Sequence, residues 1–128
     1  MDLYRQEILD HFKHPHHFGH IPKHDVAVTL FNSACGDKIT MEMKFDKKKE
    51  TIVDICFSGE GCAVSIASAS MLTDRMVGMD IKDARDINSA CVLKSFGSTL
   101  TPSRVKCALL PLEALHKCIL EQKKASVI

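Results

Sequence analysis

Hydrophobic and polar residues alternate along the first half of the chain in three short runs. The runs are residues 26–31, 39–45 and 51–59. Alternate side chains of a strand point to the same face of a sheet, so each run predicts a strand. In the third run, the residues expected to share one face are Val53, Ile55 and Phe57. Short turns between successive strands are typical of an antiparallel meander, so the pattern predicts a three-stranded antiparallel sheet over residues 26–58.

Helical spacing replaces this alternation at both ends of the chain. Near the N-terminus, apolar residues recur on one side of a helix over residues 1–14, with Asp2 as its N-cap. Residues 15–22 contain two prolines and one glycine, which end that helix. In the second half, Thr101 followed by Pro102 marks the start of the last helix. The later helical stretches are residues 63–78, 80–93 and 103–124, and Pro111 could interrupt the last of them.

Strands therefore precede helices in chain order. This order predicts an α+β domain with a small antiparallel sheet and helices packed on one face of it. The 128 residues suffice for one domain with a sizeable core, and the sequence shows neither a repeat nor a linker. We expect a single domain over residues 1–128, with an N-terminal helix (1–14), a sheet (26–58) and a helical part (62–124).

Charge and hydropathy indicate which classes of partner are not expected. The 17 basic and 16 acidic residues nearly cancel and leave a formal net charge of +1, which gives no reason to expect nucleic acid or anionic lipid. No apolar run approaches the ~20 residues that cross a bilayer, and the N-terminus is too polar for a secretory signal. We expect a cytoplasmic protein with no nucleic-acid or membrane partner.

The six cysteines are the residues with the most distinctive chemistry. In a reducing compartment, such cysteines serve metal binding or catalysis more often than disulfides. Cys35 and Asp37 share the turn ACGDK, whereas Cys62 follows the third strand at the start of a helix. In a meander the first turn and the end of the third strand lie at the same edge, so these residues should meet. Cys107, which follows Lys106, would join them from a helix laid across the sheet.

Three thiolates and one carboxylate make a four-ligand set that zinc accepts, and thiolates also hold iron–sulfur clusters. The helix N-terminus at Cys62 and the positive charge of Lys106 beside Cys107 both favour the thiolate form. The chain has no C-x-x-C pair, however. From spacing alone, a metal site and a set of simple buried cysteines both stay open.

The other cysteines and the histidines are expected to be structural. Core packing is predicted for Cys56, Cys91 and Cys118. Six histidines crowd one tract of the chain: His11, His14, His16, His17, His20 and His24. Such a tract can bind metal adventitiously, but no two of them are spaced i, i+4 on a helix. We expect a solvated, partly protonated loop there, and a structural or exposed role for His116.

Four stretches together resemble a known family of proteins. Its opening helix is matched by LYRQEILDHFKHP, its first ligand loop by NSACGDKI, its second by GEGCAVSIASASML and its third by PSRVKCALLPLEAL. Three cysteine-containing motifs in this order are highly specific, and the match covers nearly the whole chain. On these motifs the chain resembles the IscU/SufU (NifU N-terminal) family of iron–sulfur cluster assembly scaffold proteins.

The resemblance implies a site and partners. The implied ligands of zinc or a [2Fe–2S] cluster are Cys35, Asp37, Cys62 and Cys107. The implied partners are a cysteine desulfurase, which delivers sulfur as a persulfide, and apo iron–sulfur proteins or carriers, which receive the product. Cys35 and Cys107 are the candidate sulfur acceptors, and Lys106 is a candidate assisting residue. The implied function is a scaffold or sulfur acceptor, with sulfurtransferase activity as an open possibility rather than an enzymatic turnover of its own.

The motifs divide between the two branches of the family. Lys106 stands where the IscU branch has a histidine, and GEGC and SASML are also similar to the SufU branch. The interval between Cys62 and Cys107 is too short for the insertion typical of the SufU branch, and LTPSRVKC does not match the chaperone recognition sequence of the IscU branch. The chain thus combines SufU-like motifs with IscU-like length.

Three alternative functions use the same residues differently. A zinc-dependent sulfurtransferase partner of the desulfurase would need no scaffold role. A structural zinc protein would unfold when its metal is removed. A thiol hydrolase would need a histidine beside a cysteine, and His116 has no evident partner in the sequence.

Overall fold

Three strands form one antiparallel sheet at the centre of the molecule. The computed structural model of the chain describes residues 3–33, 36–97 and 100–126. The strands are β1 (Val26–Asn32), β2 (Asp37–Phe45) and β3 (Ile52–Glu60), and they lie in the order β1-β2-β3. Both neighbouring pairs are antiparallel. The predicted meander is therefore confirmed.

The third strand departs from the predicted alternation at one residue. Lys44 pairs with Asp54 and Phe45 pairs with Ile52, so Val53 is an extra residue in the ladder. A bulge of this kind shifts the two-residue period by one position. Ile52 is consequently buried and Val53 is exposed, so the expectation that Val53 shares a face with Ile55 and Phe57 is wrong.

The described part of the chain also contains five helices. They are α1 (Leu3–Lys13), α2 (Ala63–Met76), α3 (Ile81–Asp86), α4 (Ser89–Lys94) and α5 (Pro102–Ser126). The N-terminal helix is as predicted, although its expected cap, Asp2, lies outside the described residues. The stretch predicted as one helix over 80–93 is two helices, because Asn88 caps a new one by accepting the N–H of Cys91 at 3.1 Å. None of the described helices is long and apolar enough to cross a bilayer.

The last helix runs through Pro111 without a break. A proline removes one backbone donor and disturbs the carbonyls of the preceding turn. Here the ring is fully buried, and the Ser68 hydroxyl of α2 donates to the carbonyl of Ala108 at 2.6 Å. The helix continues with the proline ring packed in the core, so the interruption considered near Pro111 does not occur.

The helices α2 and α5 pack on one face of the sheet and enclose the core between them. The small residues of α2 permit this close approach, since Ala67, Ser68 and Ala69 are all buried against their neighbours. On the sheet side, the buried residues include Ile39, Met41, Met43, Ile52, Ile55 and Phe57. The predicted α+β arrangement, with helices on one face, is confirmed.

The opposite face of the sheet is crossed by residues 14–24, which we call the histidine loop. Gly19 donates its N–H to the carbonyl of Phe57 at 2.8 Å and so ties the loop to the free edge of β3. Glu42 alternates with buried methionines and therefore lies on this second face, where it is only 3% exposed. It accepts hydrogen bonds from His20 Nδ1 at 2.7 Å and from the N–H of Ile21 at 3.0 Å.

Candidate metal centre

Three of the four predicted ligands converge at one end of the sheet. One ligand atom each from Asp37, Cys62 and Cys107 lies within 4.8 Å of the other two. Cys35, the fourth predicted ligand, lies outside the described residues. The described part of the site is thus two thiols and one carboxylate, contributed by three separate segments of the chain.

The antiparallel pairing of β2 and β3 brings two of these residues together. Asp37 is the first residue of β2, and its neighbour Lys38 pairs with Glu60 at the end of β3. Cys62 follows two residues later as the N-cap of α2. The third residue, Cys107, lies in the second turn of α5, which crosses β1 and β2. Sheet topology and one helix crossing therefore assemble a site from positions 70 residues apart in the sequence.

Asp37 is anchored through one of its two oxygens. Its Oδ1 accepts the N–H of Cys62 at 2.8 Å, and its Oδ2 lies 3.7 Å from Cys62 Sγ. The side chain is only 2% exposed, and it lies at the N-terminus of α2, where unpaired N–H groups and the helix dipole favour a negative charge. A buried aspartate is thus held with one oxygen beside a thiol, an arrangement suited to a monodentate ligand.

The two glycines before Cys62 allow the chains to approach this closely. A Cβ at Gly61 would lie 2.3 Å from the Ser65 hydroxyl and 3.3 Å from Asp37 Oδ1. Gly59 has a φ of +130°, and a Cβ there would lie 2.0 Å from the carbonyl oxygen of Lys38. Any larger residue at either position would push β3 and the start of α2 away from the carboxylate.

Ser65 is a site neighbour that the sequence analysis did not identify. It is fully buried, donates to the carbonyl of Cys62 at 3.1 Å, and has its Oγ 3.8 Å from Cys62 Sγ. A serine three residues after a helix cap was available as a signal, because that position faces back toward the cap. Ser65 restricts where the Cys62 side chain can point.

The two described thiols differ in access to solvent. Cys107 is 1% exposed, and its Sγ lies 3.6 Å from the carbonyl of Ser103 in the preceding turn. Cys62 is half-buried. Lys106 is exposed and lines a groove with Phe31, Asn32 and Ser33. Of the two described thiols, Cys62 is therefore the more accessible from solvent.

The distance between Cys62 Sγ and Asp37 Oδ2 suits a tetrahedral ion. Zinc–sulfur and zinc–oxygen bonds of about 2.3 and 2.0 Å place two tetrahedral ligands about 3.5 Å apart. The 3.7 Å between Cys62 Sγ and Asp37 Oδ2 is close to that separation. The donor set of sulfur with one oxygen also fits iron, so the residues present fit either zinc or an iron–sulfur cluster.

The remaining cysteines lie away from this cluster. Cys118 is fully buried, and burial raises the pKa of its thiol to about 12, as expected of a core residue. Cys91 is half-buried against the core. For Cys56 core packing is wrong, because it alternates with Ile55 and Phe57 and so lies on the second face of the sheet.

Comparison with known proteins places these features in context. The model of the NifU-like N-terminal domain matches residues 3–127. The zinc-dependent sulfurtransferase SufU of Bacillus subtilis is 34% identical over 94% of this chain and 92% of its own. The iron–sulfur cluster assembly scaffold protein IscU of Streptococcus pyogenes is 38% identical over 91% of this chain and 82% of its own.

A solved structure gives the same result at the level of the fold. It is that of a proposed scaffold protein for the SUF system from Fervidobacterium islandicum, and it superposes with a TM-score of 0.74 at 27% identity. The superposition covers 89% of this chain and 94% of the other. The family model, the two curated relatives and the superposed structure thus agree on the same group of proteins.

Proposed function

The chain belongs to the family of NifU-like N-terminal domains, and on this premise we propose that it is a scaffold for iron–sulfur cluster assembly. In this proposal Cys35, Asp37, Cys62 and Cys107 hold the cargo, which is a nascent [2Fe–2S] cluster or zinc. The observation that carries the proposal is the convergence of Asp37, Cys62 and Cys107 at the end of the sheet.

Sulfur acceptance is the chemical step that the thiols can perform. A scaffold thiolate attacks the outer sulfur of a desulfurase persulfide, a new sulfur–sulfur bond forms, and the desulfurase cysteine leaves as a thiolate. Cys35 and Cys107 are the proposed acceptors. Because Cys107 is buried, a donor reaches it only after the first turns of α5 move, whereas Cys62 is already half-exposed.

Asp37 is proposed to keep the cargo exchangeable. A carboxylate suits soft metals less well than a thiolate, so the bond through Asp37 is the one most readily released. Lys106 is proposed to assist by pairing with the released carboxylate. The anchor from Asp37 Oδ1 to the N–H of Cys62 would hold the side chain in place while Oδ2 leaves the metal.

A second candidate function rests on the SufU relative, which is a zinc-dependent sulfurtransferase. In that reading, zinc stays bound and the protein passes sulfur onward without building a cluster. The structural zinc alternative is disfavoured, because the continuous apolar core between sheet and helices includes none of Asp37, Cys62 and Cys107.

Sulfur transfer tests the proposal. The chain is incubated with its cysteine desulfurase and isotopically labelled cysteine, and intact-mass spectrometry counts the sulfur gained. Cys35→Ser and Cys107→Ser should lower the gain, whereas Cys91→Ser, a control outside the cluster, should not. If all three variants gained sulfur as the wild type does, these thiols would not be the acceptors.

A further inference from the structure

A second group of metal-type ligands lies at the other end of α2. It consists of His11 in α1, His16 in the histidine loop and Asp74 in α2, each with one ligand atom within 4.8 Å of the other two. The ring centroids of the two histidines lie 4.6 Å apart, and the ring planes are tilted by 52°. Twelve residues at 1.5 Å per residue place Asp74 about 18 Å along the helix from Cys62, so this group is separate from the candidate metal centre.

Neighbouring polar groups hold each member of this histidine–aspartate cluster. His16 Nδ1 lies 2.6 Å from Asp74 Oδ2, and His17 Nε2 lies 3.0 Å from Asp74 Oδ1. The Ser70 hydroxyl lies 2.6 Å from His11 Nδ1 and accepts the N–H of His16 at 2.8 Å. When His11 Nδ1 donates to Ser70, its Nε2 carries the lone pair, which is how outer groups commonly orient a ligating imidazole.

The pKa values of two members of the cluster are shifted in the direction that favours cation binding. Burial, with a smaller contribution from nearby His16, lowers the pKa of His11 and favours its neutral form. Burial raises the pKa of Asp74, but hydrogen bonds from His16 and His17 outweigh it and leave the carboxyl below its usual range. A neutral imidazole beside an ionised carboxylate offers lone pairs to an ion.

The cluster is also accessible. The side chains of His16 and Asp74 are 51% and 43% exposed, and an open cavity bounded by Glu7, Asp10 and His11 adjoins them. An ion could therefore enter from solvent without any movement of the helices.

A cluster that only fastened the histidine loop to α2 would not need His11. His16 and His17 already engage both oxygens of Asp74 and fasten the loop to α2. His11 adds a second imidazole to the same place, and its Nδ1 is directed to Ser70. A divalent ion would engage both imidazoles and the carboxylate at once.

We propose that His11, His16 and Asp74 form a second metal site for a divalent transition ion such as Zn²⁺ or Co²⁺. Two imidazole nitrogens and one carboxylate oxygen suit such ions, with water completing the coordination. Two ligands on one tetrahedral ion lie about 3.3 Å apart, so the 2.6 Å contact between His16 and Asp74 opens slightly when the ion replaces the shared proton. This site is independent of the proposed scaffold function.

The test is a cobalt titration of untagged protein whose thiolate site has first been filled with one equivalent of zinc. Calorimetry counts the Co²⁺ bound, and the absence of a sulfur-to-cobalt charge-transfer band shows that the zinc was not displaced. We expect one further ion per chain. His11→Ala and Asp74→Asn should each weaken it by roughly tenfold or more. The matched control is His14→Ala, an exposed histidine of the same loop, which should bind as the wild type does.

Two results would overturn the site. Either no second ion binds, or His14→Ala weakens binding as much as His11→Ala, which would indicate adventitious binding to a histidine-rich loop only. Retention of the first zinc by each variant shows that the fold and the thiolate site are intact. Failure here is thereby distinguishable from failure of the scaffold proposal, which concerns the first zinc.

Discussion

Asp37 combines two contacts that explain why a carboxylate stands among thiols. One oxygen accepts the N–H of Cys62, and the other lies beside the Cys62 sulfur. The first contact fixes the side chain, and the second provides a hard ligand that a soft metal binds weakly. We therefore propose that the residue at this position sets how readily the cargo leaves.

Replacing Asp37 should accordingly make the bound metal or cluster less labile. We expect Asp37→Ala to slow transfer of the cargo to an acceptor by roughly tenfold, the effect of about 1.4 kcal/mol on the barrier. Asp37→Asn, which keeps an oxygen for the Cys62 N–H, should behave similarly and controls for loss of that hydrogen bond. A competition assay with a metallochromic chelator measures the rate. Variants that release their cargo as fast as the wild type would contradict the role given to Asp37.

Gly61 is the second residue whose smallness the site requires. Gly61→Ala should lower the free energy of unfolding by about 1–3 kcal/mol and weaken zinc binding, because its Cβ would lie 2.3 Å from the Ser65 hydroxyl. The double variant Gly61→Ala/Ser65→Ala removes the clashing oxygen and should recover part of both losses. Urea unfolding and zinc titration measure them. No recovery in the double variant would show that the clash is not the cause.

At the scale of elements, the histidine loop is fastened to the sheet by Glu42. Burial raises the pKa of this carboxyl, but hydrogen bonds from His20 and Ile21 outweigh it and hold the pKa below its usual value. A carboxyl whose folded-state pKa is lowered adds stability above its unfolded pKa, and that stability is lost as the pH falls through the folded pKa.

Glu42→Gln should therefore destabilise the protein at pH 7 by about 1–3 kcal/mol. The difference from wild type should persist down to the ordinary glutamate range and shrink as the solution becomes more acidic. Chemical unfolding across pH measures it, with Glu50→Gln, an exposed glutamate, as the matched control. A difference that does not change with pH would mean that Glu42 acts through packing and not through charge.

The elements were largely predictable from the sequence, and the departures have local causes. Alternation and helical spacing predicted the three strands and the main helices. The bulge at Val53 was not predictable, because a two-residue period assumes an unbroken ladder. The break before Asn88 carried a usable capping signal, whereas the continuity of α5 through Pro111 depends on burial that only the folded state reveals.

The two candidate sites also differ in how much of each could be predicted from the sequence. The meander predicted that the ACGDK turn and Cys62 share an edge, and the structure places Asp37 there. The contacts of His11 in α1 and of His16 in the histidine loop were not predictable, because their partners lie 54–59 residues away on α2. Local spacing therefore described these histidines as a solvated loop, although the fold ties them to Ser70 and Asp74.

At the scale of the whole molecule, the hydrophobic core cluster includes none of Asp37, Cys62 and Cys107. Metal removal by a chelator should leave the secondary structure and a cooperative unfolding transition intact. The free energy of unfolding should fall only by the contribution of metal binding. That contribution is about 4 kcal/mol when the free metal concentration is about 1,000 times its Kd. Circular dichroism during thermal unfolding measures it. Loss of cooperative unfolding would instead favour the structural zinc protein.

The most direct test of the account is the zinc, iron and acid-labile sulfide content per chain after anaerobic purification with the cysteine desulfurase. We expect bound zinc, or iron and sulfide in equal amounts, in the wild type and in Cys91→Ser. We expect loss of that cargo in Cys62→Ser and Cys107→Ser. Equal metal and sulfide in all four proteins would contradict the claim that the cluster of Asp37, Cys62 and Cys107 holds the cargo.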